Sequence, residues 1–418
     1  MALLFCSVSL FSVLGGLRDI FGDIPQERII HYFLMQNMLT GAMLAIVYTN
    51  DIFTAYVFID VITIAACSII SIKPGGKTLV ATMTYLIMSI IGSSLVLLSI
   101  AMLYGVTGHL LLPAIGESVG ILAATGEYTV PLFVLIGLLT SGLAIKSALF
   151  PFHGWLPDAH ASATTAASAV LSGLIIKCYL VLLIKLVCRV FGLETMEFLR
   201  IPHILLAFGT AGIAYGAWKA MNQRDVKRML SYSSISQIGY IAAAIGLNTE
   251  AGMAVACLHI AVHAISKAMM FTAAGGLAAV SGGMKDYDSL RGAARRAPLS
   301  GAAFILGGLS LIGIPPFPGF ISKLYLASAS LETPFAVLVI PAVVIFGTVL
   351  GAMYYIPAIA CILARQTEDR HEIPRISHRV SYRAALLAFI AMTLFLGLFS
   401  GQVLRVIERG LAVFGTLG

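Results

Sequence analysis

Apolar runs of about 20 residues, long enough to cross the hydrocarbon core of a bilayer, recur along this chain with short polar interruptions. They fall near 1–17, 28–48, 51–72, 77–105, 130–150, 165–190, 203–219, 228–247, 253–280, 299–330, 335–363 and 383–404. The pattern predicts an all-α, polytopic membrane bundle of about twelve transmembrane helices. The first run is short, and Arg18 follows it with no basic residue before it, the reverse of a cleavable signal peptide. It reads as a span. Two connections exceed simple turns: Gly105 to Tyr128, which carries Glu117 and Glu127, and the densely charged Arg365 to Tyr382. Both read as loops, too small for a separate domain.

Composition sharpens this picture. Over 418 residues, 59% are hydrophobic and 11% charged, with a mean hydropathy of +0.97, whereas a soluble globule carries about twice that charged fraction. The net charge of +7 is scattered over loops without a basic face, which excludes nucleic acid and leaves membrane topology. Counting from the N-terminus, odd-numbered loops hold Arg18 and Arg28; Lys73 and Lys77; Lys219, Arg224, Lys227 and Arg228; Lys285, Arg291, Arg295 and Arg296; and Arg365, Arg370, Arg375, Arg379 and Arg383. Even-numbered loops hold only Arg189 and Arg200. Because basic loops stay cytoplasmic, both termini are expected outside. The six cysteines, Cys6, Cys67, Cys178, Cys188, Cys257 and Cys361, show no CxxC pair or ligand spacing and read as packing residues. With no phosphate-cradling glycine loop either, no cofactor is expected in this chain, and redox chemistry belongs to another.

Within the spans, Lys146, Lys177, Lys185, Lys267, Lys323 and Asp60 are left. Each costs on the order of 3 kcal/mol at a helix centre, and such residues mark ion paths or proton relays. Lys185 is the exception, since it lies near a helix end and can snorkel. Asp60 is either a hydrogen-bonded structural acid or a switchable charge set by burial and a neighbouring cation. Lys146, in GLAIKSALFPF, and Lys323, in GIPPFPGFISK, each lie beside a proline-broken helix. Freed backbone groups there must line a buried or wet cavity. Two such breaks in two halves indicate an internal repeat with an ion path near the midplane.

His259, His263 and Lys267 recur every four residues and share one helix face. Histidine can pass a proton between its two nitrogens near neutral pH; buried core histidines are the bland alternative. A metal is disfavoured, with no glutamate between the pair and no third ligand nearby. Lys177, in SGLIIKCYLVLL, is placed to bridge the halves. The helix starting at Asp225 carries Ser231, Ser233, Ser234, Ser236 and Gln237, which either organise water or bond neighbouring helices.

At NDIFTAYVFID, KSALFPFHGWLPDAH, SGLIIKCY, DVKRMLSYSSISQIGY, HIAVHAISKAMMF and GIPPFPGFISK the sequence resembles the antiporter-like subunit family of respiratory complex I, Mrp-type cation/proton antiporters and membrane-bound hydrogenases. The matching stretches run in family order from about residue 28 to 405. The resemblance implies a fourteen-helix core with two inverted five-helix repeats, here 28–190 and 203–363, followed by a C-terminal helix and tail, 383–418. It implies a proton path in which Asp60 replaces the usual glutamate paired with Lys146, Lys177 connects, His263 and Lys267 continue with His259 one turn earlier, and Lys323 is terminal. The chain begins at what resembles the third family helix, and the long lateral helix of the largest members is not expected. The implied function is H⁺ or Na⁺ translocation within a redox-driven complex, with other membrane subunits and peripheral redox subunits as partners. An Mrp-type Na⁺/H⁺ antiporter subunit without redox chemistry is the alternative, and a scaffold that has lost transport is a third reading.

Overall fold

A computed structural model describes residues 1–126, 128–365 and 380–413. Its first half consists of α1 (Ala2–Asp23), α2 (Gln26–Tyr48), α3 (Ile52–Ser71), α4 (Gly76–Thr107), α5 (Leu112–Thr125), α6 (Thr129–Lys146), α7 (Leu156–Ser162) and α8 (Thr165–Phe198). The rest comprises α9 (Ile201–Met221), α10 (Val226–Ile245), α11 (Glu250–Ala279), α12 (Pro298–Ile312), α13 (Pro318–Ser330), α14 (Val339–Leu363), α15 (Val380–Leu398) and α16 (Ser400–Ala412). Ten of these are long and apolar enough to cross a membrane. The serine-rich α10 and the interrupted pair α12/α13 complete twelve crossings among the described residues, and the bundle expected from the apolar runs is the fold observed.

Helix starts follow local chemistry. Side chains of Asp51, Thr164, Asp225 and Thr249 accept from backbone N–H groups that the first helical turn leaves free. The chain is buried most completely along α8, α10 and α11, which stand inside the ring of other helices and carry the buried lysines and histidines on otherwise apolar or small faces. The crossing of α9 with α10 is tight because it is lined by glycine: a Cβ on Gly239 would lie 2.5 Å from the carbonyl oxygen of Gly209.

Three boundaries differ from the sequence reading. The stretch expected as a loop before Tyr128 contains α5, whose Leu112, Ile115 and Val119 are buried at helical spacing; at 14 residues it is too short to span. Glu127 lies outside the described residues, as do 366–379 and so Arg370, Arg375 and Arg379. The final run divides at Phe399: α15 crosses, and α16 is a separate amphipathic helix with Arg405, Glu408 and Arg409 exposed. The first span continues to Asp23, so Arg18 sits in its last turns.

The loops sort onto two faces. Ile52 N–H donates to Leu110 O at 3.0 Å and Leu112 N–H to Asn50 O at 2.8 Å, joining the second and fourth loops. Val226 N–H donates to Lys285 O at 2.9 Å and Tyr287 N–H to Arg224 O at 3.1 Å, joining the seventh and ninth. Arg18, Lys73, Lys227 and Lys285 line one cavity, while Glu250, Glu332, Glu408 and Arg409 line another among even-numbered loops and the C-terminal helix.

Candidate ion-path site

Lys146 is the last residue of α6, immediately before the chain breaks, and is 2% exposed. Its Nζ donates to Thr63 Oγ1 on α3 at 2.6 Å and lies 5.8 Å from the centroid of the Tyr179 ring. Its stem runs across Gly92 of α4, where a Cβ would stand 3.1 Å from Lys146 Cγ and 3.0 Å from Gly142 O. Glycine keeps this crossing open, since a methyl group there would press on a backbone oxygen and on the lysine stem. Past the break, Trp155 Nε1 donates to Ile145 O at 3.2 Å, joining the Ala148 N–H that closes the last turn on the same carbonyl at 3.2 Å.

Asp60 is one helical turn before Thr63, half-buried, and accepts a short hydrogen bond from Ser93 Oγ. No Asp60–Lys146 ion pair within 4.0 Å is formed. The two charges occupy adjacent positions on α3 and α6, bridged by the Thr63 hydroxyl on the lysine side alone.

Lys177 is fully buried in α8, and its Nζ donates a short hydrogen bond to Ser172 O, five residues back. That carbonyl belongs to a π-helical turn, Leu171–Ile175, in which the i to i−4 ladder is widened. Ser172 Oγ lies 2.9 Å from Ser234 Oγ, so Lys177 connects to α10 through one serine. Lys185 behaves differently. Its Nζ donates to Val47 O at 3.0 Å, Ile46 O at 3.4 Å and, more closely, Thr49 O. It caps the C-terminus of α2, a structural contact made while 5% exposed rather than by snorkelling to the interface as expected.

On α11, His259, His263 and Lys267 are all buried, at 3%, 0% and 0% exposure. His259 Nε2 faces Gln237 Oε1 at 3.1 Å, an acceptor, so this nitrogen carries a hydrogen. Nδ1 is 2.9 Å from Ser322 Oγ, and that hydroxyl also has Gly319 O at 3.1 Å. A neutral ring accepts from Ser322; a protonated ring donates to it and turns the hydroxyl toward Gly319. Lys267 Nζ donates to Leu230 O at 2.7 Å, to Ser233 Oγ at short range and to Tyr355 Oη at 3.3 Å. His263 lies between them, its ring centroid 6.4 Å from that of His259, with no hydrogen-bond partner on either nitrogen among the described residues.

Lys323 is on α13, after the second break, and reaches back across it. Its Nζ donates to Leu311 O at 3.0 Å and Ile312 O at 2.9 Å, the terminal carbonyls of α12, and sits 4.6 Å from the Tyr240 ring centroid. Lys146 and Lys323 thus flank their breaks from opposite sides. The serines of α10 serve chiefly as direct bonds: Ser233 to Lys267, Ser234 to Ser172, and Gln237 to His259.

Sequence reasoning assigned no role to His160, Thr63 or Tyr355. His160 is fully buried, stacks on Phe271 at 4.8 Å, and has neither ring nitrogen hydrogen-bonded among the described residues; Lys227, Lys267 and Lys177 are within electrostatic reach. Its signal was the histidine of LPDAH. Nothing in the sequence placed it among three lysines from other helices.

The fold and site define a class: a multi-pass membrane protein with a row of buried cations running past two broken helices. A family model for the membrane segment of NADH:quinone oxidoreductases and Mrp antiporters matches residues 49–351, and the chain belongs to that family. NADH-quinone oxidoreductase subunit N of Desulforudis audaxviator is 33% identical over 337 residues, 80% of this chain. The match spans 65% of that relative's own length. A putative antiporter subunit, mnhD2, of Staphylococcus saprophyticus is 28% identical over 417 residues, covering 98% of this chain and 80% of the relative. Among solved structures, a chain of the membrane-bound sulfane sulfur reductase, an archaeal respiratory membrane complex, superposes with a TM-score of 0.84 at 26% identity, covering 99% of this chain and 81% of that one. These relatives are subunits of multisubunit complexes, and this chain is a multi-pass protein of the bacterial or archaeal cell membrane.

Proposed function

We propose that this chain is an ion-translocating, antiporter-like subunit of a redox-driven membrane complex, and that Asp60, Lys146, Lys177, His259, His263, Lys267 and Lys323 form its proton relay. The observation that carries this reading is that Lys146, Lys177, Lys267 and Lys323, each 3% exposed or less, have no carboxylate within 4.0 Å among the described residues. Buried cations are expected to be paired. Four ammonium groups held by neutral oxygens can change protonation without breaking an ion pair.

In this reading protons pass along Lys146, Lys177, the His263/Lys267 segment and Lys323, with Asp60 biasing the first station, His259 exchanging its hydroxyl partner, and His160 joining the centre of the path. The halves 28–190 and 203–363 serve as the two units of the repeat, and 383–418 as an appended helix and tail. The basic loops face the cytoplasm and both termini the outside. Energy comes from partner subunits, since moving one charge against 100 mV costs about 2.3 kcal/mol. A non-redox Na⁺/H⁺ antiporter subunit is the second reading, favoured by the near full-length match to an antiporter relative.

The test is transport by the isolated complex in proteoliposomes, with subunits identified by mass spectrometry and interior pH and sodium followed together. Lys146→Ala is expected to abolish transport while the complex still assembles. Undiminished transport by that variant would reject the relay. Transport without any redox subunit would select the second reading.

A further inference from the structure

One cavity, of about 510 Å³, lies on the face that carries the basic loops, among the ends of α1, α3, α8, α10 and α11. Arg18, Asp19, Asp23, Lys73, Lys227 and Lys285 supply its charged lining. Asp23 is engaged by Lys73 at 2.7 Å, which leaves Arg18, Lys227 and Lys285 against the single carboxylate of Asp19. Lys227 forms the floor. It is 3% exposed, and its Nζ has one hydrogen-bond acceptor, Ala163 O at 3.1 Å, so two of its three N–H donors have no protein partner among the described residues. Arg18 and Lys285 stand nearer the rim, where they form no ion pair among the described residues. The wall opposite is the Gly282–Gly283 turn, with φ of 70° and 83° and open space where side chains would project. A side chain there would strain the turn.

A buried ammonium with spare donors, two further cations and an unfilled volume at the loop-bearing ends of the helices match one ligand chemistry. We propose that this vestibule binds a phosphate-class anion, either the phosphodiester headgroup of an anionic phospholipid or free phosphate. The arrangement follows a general rule: basic pockets between membrane helices at the interface hold anionic headgroups. Lys227 supplies the deep contact, and Arg18 and Lys285 close over the anion from the rim. None of these three residues belongs to the relay proposed above, and the site stands or falls without it.

The experiment uses the full chain in its membrane complex, stripped of lipid by detergent exchange. Phosphatidylglycerol or phosphatidylcholine is titrated back and counted by native mass spectrometry, and inorganic phosphate is titrated alone in a parallel arm. One phosphatidylglycerol per chain is expected to bind in preference to phosphatidylcholine. Arg18→Gln with Lys285→Gln, both rim positions outside the packed core, is expected to weaken it about thirtyfold. Lys219→Gln with Arg224→Gln, on the same face but outside the cavity, is expected to leave it unchanged. Inorganic phosphate binding with the same sensitivity to the rim variant would support the site and assign it to the free anion. Equal retention of the two lipids with no phosphate binding, an unaffected rim variant, or an equal loss in the control variant would overturn it.

Discussion

Lys323 and Lys185 have nearly the same local chemistry and opposite proposed roles, which makes them a matched pair. Lys323 Nζ donates to the last carbonyls of α12, at 3.0 and 2.9 Å, and Lys185 Nζ donates to the last carbonyls of α2, at 3.0 and 3.4 Å with a closer third. Each charge-assisted bond contributes about 1.5–3 kcal/mol, and a cation at a helix C-terminus adds about 0.3–2 kcal/mol. Methionine of similar length removes these terms but also relieves the burial of a charge, which costs several kcal/mol. The net change in assembly for either Lys→Met is therefore small, about 1–2 kcal/mol, and similar at the two sites. Transport separates them. Lys323→Met removes the proposed terminal station and is expected to slow transport by about a hundredfold or more, while Lys185→Met is expected to leave the rate per assembled complex near wild type.

Arginine completes the comparison, since it keeps the charge and the carbonyl contacts but does not surrender its proton. Lys323→Arg is expected to assemble and not transport, and Lys185→Arg to do both. The assay is dye-reported acidification in proteoliposomes, normalised to assembled complex. Wild-type transport by Lys323→Arg, or loss of transport in Lys185→Met at undiminished assembly, would refute the assignment.

Two further substitutions test the positioning of the stations. Gly92→Ala places a methyl group 3.0 Å from Gly142 O and 3.1 Å from Lys146 Cγ; overpacking of about 1–3 kcal/mol is expected to lower both the melting temperature of the complex and its transport rate, and a variant unchanged in both would remove Gly92 from the site. Gln237→Met takes away the acceptor of His259 Nε2, which costs about 1–3 kcal/mol for a buried donor; slower transport with assembly intact is expected, and an unchanged rate would show that the Gln237 contact is dispensable.

Much of this was legible in the chain because a bilayer imposes a strong rule: apolar runs must become helices, and charges within them need a reason. The breaks at Pro151 and at Gly313 through Pro318 were visible for the same reason. What the sequence did not carry was partnership between helices. The lysines at 146 and 323 look alike in the linear chain, yet one bonds a threonine hydroxyl on α3 and the other the carbonyl ends of α12. Asp60 lies near Lys146 as expected, but its hydrogen bond is to Ser93, a residue whose contact depends on the α3/α4 crossing. The short helix α5 was read as a loop because its apolar repeat, though helical, falls below the length of a span.

The choice of acceptors fits the proposed relay. Thr63 Oγ1, Ser172 O, Leu230 O, Ser233 Oγ, Leu311 O and Ile312 O are all neutral. A carbonyl or hydroxyl accepts a hydrogen bond from an ammonium or from a neutral amine, whereas a carboxylate favours the charged form. With neutral acceptors, the protonation of each station depends on its neighbours. Two like charges about 10 Å apart repel by about 2 kcal/mol at an effective dielectric of about 20, enough to make adjacent stations unequal without any large movement. Asp60, the one acid among the described residues proposed as part of the row, is half-buried and bonded to Ser93. With no Asp60–Lys146 contact within 4.0 Å, the acid acts on this lysine through space, and in the proposed relay its charge biases the first station without holding it in an ion pair.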